Sequence, residues 1–156
     1  MVYEYNLQNR LSVVKTSTDG GTNWTSVTEY QYNSEGSRVS KAVDGVVTSY
    51  LVDAYNHTGY SQVLEESSGS DRTTFTIGDD VLTQSKFDGT NTTTRHLLYD
   101  GQGSTRQLIN SNSSIADSYS YDSYGVMLGG NPTPAAPAMT NLLYTGEQWD
   151  NNARSK

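Results

Sequence analysis

The chain alternates short strand-like stretches with clusters of Gly, Asn, Asp and Ser. In Tyr30-Gln-Tyr32, for example, two aromatic residues flank a polar one, which is the period of a β-strand with one face packed. No segment carries an apolar stripe at the 3.6-residue helical period over three turns. The pattern predicts an all-β chain of repetitive antiparallel hairpins, arranged as a curved or spiralling sheet.

One phrase recurs and indicates an internal repeat. It consists of Tyr-x-Tyr or a single Tyr, then Asn or Asp, then Gly, then in several copies an Arg that opens the return strand. The tyrosines Tyr5 and Tyr32 lie 27 residues apart (32 − 5), which suits one two-stranded unit. The predicted motif residues are Tyr3, Tyr5, Tyr30, Tyr32, Gly36, Arg38, Tyr99, Asp100, Gly103, Arg106, Tyr119, Tyr121, Asp122, Gly125, Tyr144 and Gly146.

Each part of the phrase has a physical role. Tyr-x-Tyr places two rings on one face of a strand, and the following Asn or Asp starts a turn by bonding its own backbone. The Gly supplies the positive φ that the turn needs. Turns at the opposite hairpin ends are predicted at Asp19-Gly20-Gly21, Asp44-Gly45 and Asp88-Gly89. The tyrosines are interpreted as a ladder between hairpins, with an exposed aromatic platform as the alternative.

Interruptions of the repeat define the predicted organisation. Residues 1–128 are assigned to hairpin repeats, and residues 129–141 to a loop rich in Gly, Pro and Ala. A second loop insertion is predicted at residues 67–70, and a final strand at residues 142–145.

Composition narrows the class of protein. The 156 residues include 12 Tyr but only 33% hydrophobic residues, so a core must rely on rings whose hydroxyls are paired. The net charge is −7 and no basic cluster occurs, which argues against nucleic acid as a partner. The chain has no Cys, no stretch long enough to span a bilayer and no signal-peptide pattern.

Candidate chemistry is sparse. His57 and His96 are the two histidines, and neither belongs to a metal-ligand pattern. The adjacent acids Glu65 and Glu66 point to opposite faces of a strand, so they do not form the carboxylate pair of a glycosidase. The turn at Asp100 is oxygen-rich but lacks the spacing of a calcium loop. No catalytic, cofactor or metal site is predicted, and a carboxylate enzyme is the weakest interpretation.

Several motifs resemble the Rhs repeat-associated core of bacterial YD-repeat proteins. They are Tyr-Asp-Gly-Gln-Gly-Ser-Thr-Arg at 99–106, Tyr-Ser-Tyr-Asp-Ser-Tyr-Gly at 119–125, Tyr-Thr-Gly-Glu-Gln-Trp-Asp at 144–150, and the segment 50–66. The resemblance implies a sheet that spirals into a hollow shell around a C-terminal effector, as in Rhs toxins, the cocoon subunits of Tc toxins and, more distantly, teneurins. Residues 142–156 then resemble the start of the core's terminal motif, truncated after residue 150 and without the self-cleavage residues of that family.

These observations predict a non-catalytic structural segment of such a shell, secreted or at the bacterial cell surface as part of a longer chain. The implied partners are the rest of a longer YD-repeat polypeptide and its effector. Exposed strand edges at residues 2–7 and 142–145 also predict pairing, either with a second copy or with the adjoining strands of a larger shell. The alternative is a secreted or surface-displayed β-repeat module that binds carbohydrate or protein.

Overall fold

The computed structural model describes residues 1–129 and 138–150. In this part of the chain one 3-10 turn, Tyr144–Gly146, accompanies thirteen strands, which confirms the all-β prediction. The strands are β1 Val2–Tyr5, β2 Leu11–Thr16, β3 Ser26–Tyr32, β4 Arg38–Val43, β5 Val46–Asp53, β6 Gln62–Ser68, β7 Asp71–Ile77, β8 Val81–Phe87, β9 Thr92–Tyr99, β10 Thr105–Asn110, β11 Ile115–Ser118, β12 Ser120–Tyr121 and β13 Met127–Leu128.

Strands β1 to β11 form one sheet in the order of the chain, so each inner strand bonds to its two sequence neighbours. The registered pairs are antiparallel, and β12 and β13 form a separate two-stranded sheet. This order confirms the predicted array of consecutive hairpins. It arises because short turns return each strand directly beside the one before it.

The register separates a buried row from an exposed one. Val14 lies opposite Thr28, which in turn lies opposite Val43 on the next strand. Val14, Thr28 and Tyr30 are buried, whereas the intervening Glu29 is exposed. Alternate residues of β3 therefore face opposite sides of the sheet, as the period of two requires.

Two turns illustrate how local sequence fixes the hairpins. Asp44 and Gly45 have φ values of 49° and 84° and join the paired residues Val43 and Val46, as a two-residue hairpin loop requires. The loop insertion predicted at residues 67–70 is wrong. Ser67 and Ser68 instead continue β6 and pair with β7, because Gly69 adopts a φ of 60° and allows an immediate reversal.

The chain divides into two compact units. The N-terminal unit comprises Met1–Thr74 with Phe87–Thr90, and its buried side chains include Val14, Tyr30 and Tyr50. The C-terminal unit comprises Phe75–Lys86 and the described part of Asn91–Asp150. Its core is a cluster of buried residues: Leu97, Leu108, Tyr119, Tyr121 and Leu143.

Residues 138–150 pack onto the core of the C-terminal unit. The N–H of Thr105 donates to the carbonyl of Leu143 at 2.9 Å, and the Thr105 hydroxyl donates to the carbonyl of Leu142 at 2.7 Å. Leu143 is 1% exposed. This segment therefore supplies one of the core side chains and bonds to the start of β10.

The strand predicted at residues 142–145 is wrong. Leu142 forms an isolated bridge with Gln148, and the intervening chain reverses at Thr145 and Gly146, whose φ values are 54° and 72°. Leu143 points into the core because this reversal faces the start of β10. Of the other predicted segments, residues 130–137 of the Gly/Pro/Ala-rich loop and residues 151–156 lie outside the described residues.

The alternation in β9 provides a matched test of the fold. Leu97 is 5% exposed and lies opposite Leu108, whereas its neighbour Leu98 is 47% exposed. We expect Leu97→Ala to lower the free energy of unfolding by about 3 kcal/mol, through lost burial and a cavity. Leu98→Ala should change it by about 0.5 kcal/mol or less. Urea unfolding of both variants measures the difference, and equal losses would contradict the assigned faces.

Candidate functional site: the Asx turns and the tyrosine ladder

The recurring phrase folds into a five-residue turn that we call the Asx turn, seen clearly at Asp100. The N–H of Asp100 donates to the carbonyl of Ser104, and the N–H of Gly103 donates to the carbonyl of Asp100, both at 3.0 Å. The Asp100 Oδ1 accepts the N–H groups of Gln102 and Ser104 at 2.9 and 3.0 Å. Gly103 has a φ of 77°, the left-handed position of a three-residue hairpin loop.

The same backbone bonds recur at four other places. In each, the first residue donates its N–H to the carbonyl four residues on, and its own carbonyl accepts the N–H three residues on. A register shift in the flanking strands accompanies several of these turns, as expected where the extra left-handed residue is inserted. The turns begin at Asn6, Asn33, Asn110 and Asp122.

Sequence reasoning missed the turn at Asn110 because it lacks glycine. Ser113 takes the left-handed position with a φ of 67°, and Asn9 does the same in the Asn6 turn at 58°. Non-glycine residues are uncommon there, so the sequence signal is weak. An Asn followed three residues later by Asn or Ser, between two strands, is the pattern that identifies these copies.

Backbone donors stabilise the charged form of the turn carboxylate. The N–H groups of Gln102 and Ser104 hold the pKa of Asp100 below its ordinary value. Arg106 adds an ion pair, with its Nε 2.8 Å from the Asp100 Oδ2. Asp100 thus acts as a fixed hydrogen-bond acceptor and not as a proton donor.

Three tyrosines, each directly before an Asx turn, donate their hydroxyls to backbone carbonyls. Tyr32 donates to Leu11 at 2.7 Å, Tyr99 to Val81 at 2.8 Å and Tyr121 to Thr105 at 3.0 Å. Each acceptor is the first residue of a strand, namely β2, β8 and β10. We call these three bonds the tyrosine ladder.

The ladder joins neighbouring strands and fixes where each begins. Tyr32 lies in β3, next to β2, and Tyr99 lies in β9, next to β8. Tyr121 lies in β12, where the chain continues past β11 beside β10, as the 2.8 Å bond from the Tyr119 N–H to the Arg106 carbonyl indicates. A one-residue slip of either strand would remove the acceptor from the hydroxyl.

Arginines that follow a turn cover the tyrosines of the next hairpin. The Cζ of Arg10 lies 5.8 Å from the ring centroid of Tyr32, and that of Arg106 lies 5.3 Å from Tyr121. These distances are within the range of cation–π attraction. Arg10 also donates from Nη1 to the carbonyl of Asn33 at 3.2 Å, so it holds the next turn as well as its tyrosine.

Arg38 makes the corresponding contacts one hairpin further on. Its Cζ lies 5.5 Å from the ring of Tyr30 and 5.1 Å from the ring of Tyr50. Tyr30 and Tyr50 are both buried. The guanidinium therefore covers rings on two different strands and links β3 to β5 across β4.

Two turn glycines allow close approach of a side chain. A Cβ at Gly36 would lie 2.5 Å from the Arg10 guanidinium, and one at Gly125 would lie 2.5 Å from the Tyr144 ring. Both glycines have positive φ, 93° and 80°. The guanidinium end of Arg10 can move aside, but the ring of Tyr144 is held by a 3.1 Å bond from its hydroxyl to the Ser123 carbonyl.

Tyr119 and Tyr121 also contact residues 138–150. Tyr119 donates its hydroxyl to the Asp117 Oδ2 at 2.6 Å and accepts the N–H of Met139 at 3.1 Å. Tyr121 and Tyr144 meet edge to face, with ring centroids 5.5 Å apart. These contacts join the last hairpin to the segment that completes the core.

The first copy of the motif differs from the others in exposure. Tyr3 and Tyr5 are 41% and 60% exposed, whereas Tyr30 is 6% exposed and Tyr121 is 8% exposed. β1 stands at one end of the strand order, so no strand covers its outer edge in the described chain. The structure therefore brings Tyr32, Tyr99 and Tyr121 into the ladder but leaves Tyr5 outside it.

A second hydrogen-bonded loop, residues 17–24, was predicted only as a turn at Asp19. The Asp19 carboxylate accepts the Asn23 N–H at 2.9 Å and the Ser17 hydroxyl at 2.5 Å. These donors, that N–H foremost, hold the pKa of Asp19 well below its ordinary value. Trp24 closes the loop, with the Nζ of Lys15 6.0 Å from its ring centroid.

The described residues contain no group of three or more His, Asp or Glu placed to hold a metal ion. Within the same residues no helix is long and apolar enough to cross a membrane.

No protein-family model matches the chain, and no curated protein matches it. Among solved structures, the chain is similar in fold to the crystal structure of TcdB2-TccC3-TEV, with a TM-score of 0.61 and 17% identity. The match covers 96% of this chain and 8% of that one. The two chains thus share a fold, and this chain spans about one twelfth of the length of its structural neighbour.

Gly103 and Gly125 occupy the same position of two Asx turns. Substituting each by Ala therefore distinguishes the cost of backbone strain from the cost of a steric clash. Both have positive φ, but only Gly125 has atoms within 4 Å of an added Cβ. We expect Gly103→Ala to lower the free energy of unfolding by about 1–2 kcal/mol, the strain of a left-handed residue. Gly125→Ala should lower it by about 1–3 kcal/mol more, because Tyr144 must move. Urea unfolding gives both values, and a smaller loss for Gly125→Ala would contradict the packing described.

The buried hydroxyls predict a loss of stability in alkali. Burial raises the pKa of Tyr121 to about 12, and burial also raises the pKa of Tyr99 and Tyr119. Above pH 10 the unfolded chain releases these protons while the folded chain retains them. The free energy of unfolding should therefore fall between pH 10 and 12, by up to about 1.4 kcal/mol per pH unit for each hydroxyl.

Urea unfolding at several pH values, with tyrosinate absorbance as the second signal, measures this slope. Tyr121→Phe should reduce the slope because it removes one of the buried hydroxyls. Tyr124→Phe is the control in the same turn, because that ring is 90% exposed. A slope that does not change in Tyr121→Phe would contradict the role assigned to the Tyr121 hydroxyl.

Proposed function

We propose that this chain is a non-catalytic structural segment of a YD-repeat shell that encloses a C-terminal effector. The observation that carries the proposal is that the motif side chains bind one another. Tyr32 binds the backbone of the strand before it, and Arg10 binds both Tyr32 and the next turn. Side chains arranged in this way hold neighbouring hairpins in register, and such a sheet can serve as part of the shell wall.

The state of the acidic residues supports a structural role. Asp100 and Asp122 accept backbone N–H groups inside their own turns, and Asp44 accepts the N–H of Val27 at 2.7 Å. Glu65 lies 3.2 Å from the Nε of Arg72 on the adjacent strand. Carboxylates held by such donors stabilise turns and strand pairs.

The partners follow from the same proposal. The shared fold with a small part of a far longer chain supports a place within a longer YD-repeat polypeptide. Its function there is to continue the spiralling sheet and to separate the effector from its surroundings. The complete protein is then secreted or displayed at the bacterial cell surface.

A binding module for carbohydrate or protein is the second candidate. One observation favours it: in the loop of residues 54–61, Tyr55 and Tyr60 are 87% and 80% exposed. Exposed tyrosines are common at recognition surfaces. The buried Tyr30, Tyr119 and Tyr121 argue against the broad aromatic platform that this candidate would use.

A chimera tests the proposal. In a YD-repeat shell protein with a known effector, residues 1–150 of this chain replace the stretch of equivalent fold. We expect the chimera to protect its effector from added protease as the parent does, because the segment supplies an intact part of the wall. Effector half-life during digestion, followed by gel electrophoresis, is the measurement.

Matched variants of the chimera identify the cause of protection. Tyr121→Ala removes a ladder bond and a buried ring, and it should shorten the effector half-life, whereas Tyr124→Ala in the same turn should not. A chimera that folds but leaves its effector as sensitive as free effector would refute the shell function. Binding to a glycan array that is lost in Tyr55→Ala or Tyr60→Ala would establish the second candidate instead.

A further inference from the structure

Tyr5 stands where a ladder tyrosine would stand, but it makes no ladder bond in the described residues. It directly precedes the Asx turn at Asn6, as Tyr32 precedes the turn at Asn33. Within residues 1–129 and 138–150 the Tyr5 hydroxyl forms no hydrogen bond, and its side chain is 60% exposed. Tyr5 therefore has the turn that follows each ladder tyrosine, but in the described residues no strand pairs with the outer edge of β1, the edge away from β2.

Tyr32 shows what that neighbour supplies. The strand beside it begins at Leu11, whose carbonyl accepts the Tyr32 hydroxyl at 2.7 Å. Arg10, one residue earlier, lies over the Tyr32 ring and donates to the carbonyl of Asn33. At Tyr5 the corresponding groups are its hydroxyl, which donates to such a carbonyl, and its ring face and the carbonyl of Asn6, which receive the arginine.

We infer that the outer edge of β1 binds the arginine-bearing return strand of another YD-type hairpin, placed as β2 is placed against β3. The inference rests on the proposed function, because it extends the same ladder by one unit. The incoming strand pairs with Val2–Tyr5, its first carbonyl accepts the Tyr5 hydroxyl, and its arginine covers the Tyr5 ring.

The edge itself favours this occupant. All four residues of β1 are exposed, and none is the lysine or proline that commonly blocks an edge strand. Glu4 is the one charged residue, and it is bonded to Lys15 on β2 at 2.6 Å. A strand with an arginine beside Tyr5 gains cation–π attraction and a carbonyl contact that a purely apolar strand lacks.

The 27-residue spacing of Tyr5 and Tyr32 provides the experiment. A second copy of residues 1–27 is placed directly before Met1, so that the copy's Arg10 and Leu11 stand to Tyr5 as Arg10 and Leu11 stand to Tyr32. We expect the β1 amides that point away from β2 to exchange with solvent at least about tenfold more slowly in the extended chain, because alternate N–H groups of an antiparallel strand face opposite neighbours. Hydrogen exchange followed by NMR gives each rate, with the unextended chain as reference.

Two controls decide the specificity. Arg10→Leu in the added copy alone should abolish most of the gain in protection, while Lys15→Leu in the copy should retain it. Unchanged β1 exchange in the extended chain would overturn the inference, and so would equal protection by the Arg10→Leu copy. Protection of β1 that rises with the concentration of the unextended chain would assign the edge to a second copy instead. Effector protection is measured on the chimera, so the proposed function and this inference can fail separately.

Discussion

The hydrogen-bonded Asx turn is the constraint on which the other contacts of this protein depend. In the Asp100 copy, one side-chain oxygen accepts two backbone N–H groups, and the closing Gly103 adopts positive φ. This arrangement sets the residue at which the return strand begins. Two of the three ladder bonds, to Leu11 and Thr105, end on the carbonyl of such a first residue, so an error in the turn would displace the ladder bond as well.

The ladder also explains how a chain with 33% hydrophobic residues builds a core. Tyrosine buries a large apolar ring, but its hydroxyl requires a partner when it leaves water. The start of a strand supplies that partner without using another side chain, as Thr105 does for Tyr121. Thr105 itself is fully buried and bonds to the carbonyl of Leu142, so the polar atoms of this region satisfy one another.

The same contacts make the array extendable. Each arginine after a turn reaches forward to the next hairpin, as Arg10 reaches Tyr32, and each ladder tyrosine reaches back to the strand before it. Stability in such an array comes from contacts between neighbouring repeats. The C-terminal unit departs from this rule, because residues 138–150 supply Leu143 to its core and cover the start of β10.

The sequence by itself determined the local features of the fold. Alternating positions and the turns at Asp44, Asp100 and Asp122 predicted strands, hairpins and glycine conformations, because these depend on residues within about five positions of each other. The turn closed by Ser113 was missed, because a non-glycine residue is uncommon in the left-handed region. Only the tertiary structure decided that Arg10 contacts Tyr32, that Gly125 faces Tyr144, and that residues 142–145 form a core-filling reversal and not a strand. Those outcomes depend on the spatial meeting of segments about twenty or more residues apart, which no local pattern specifies.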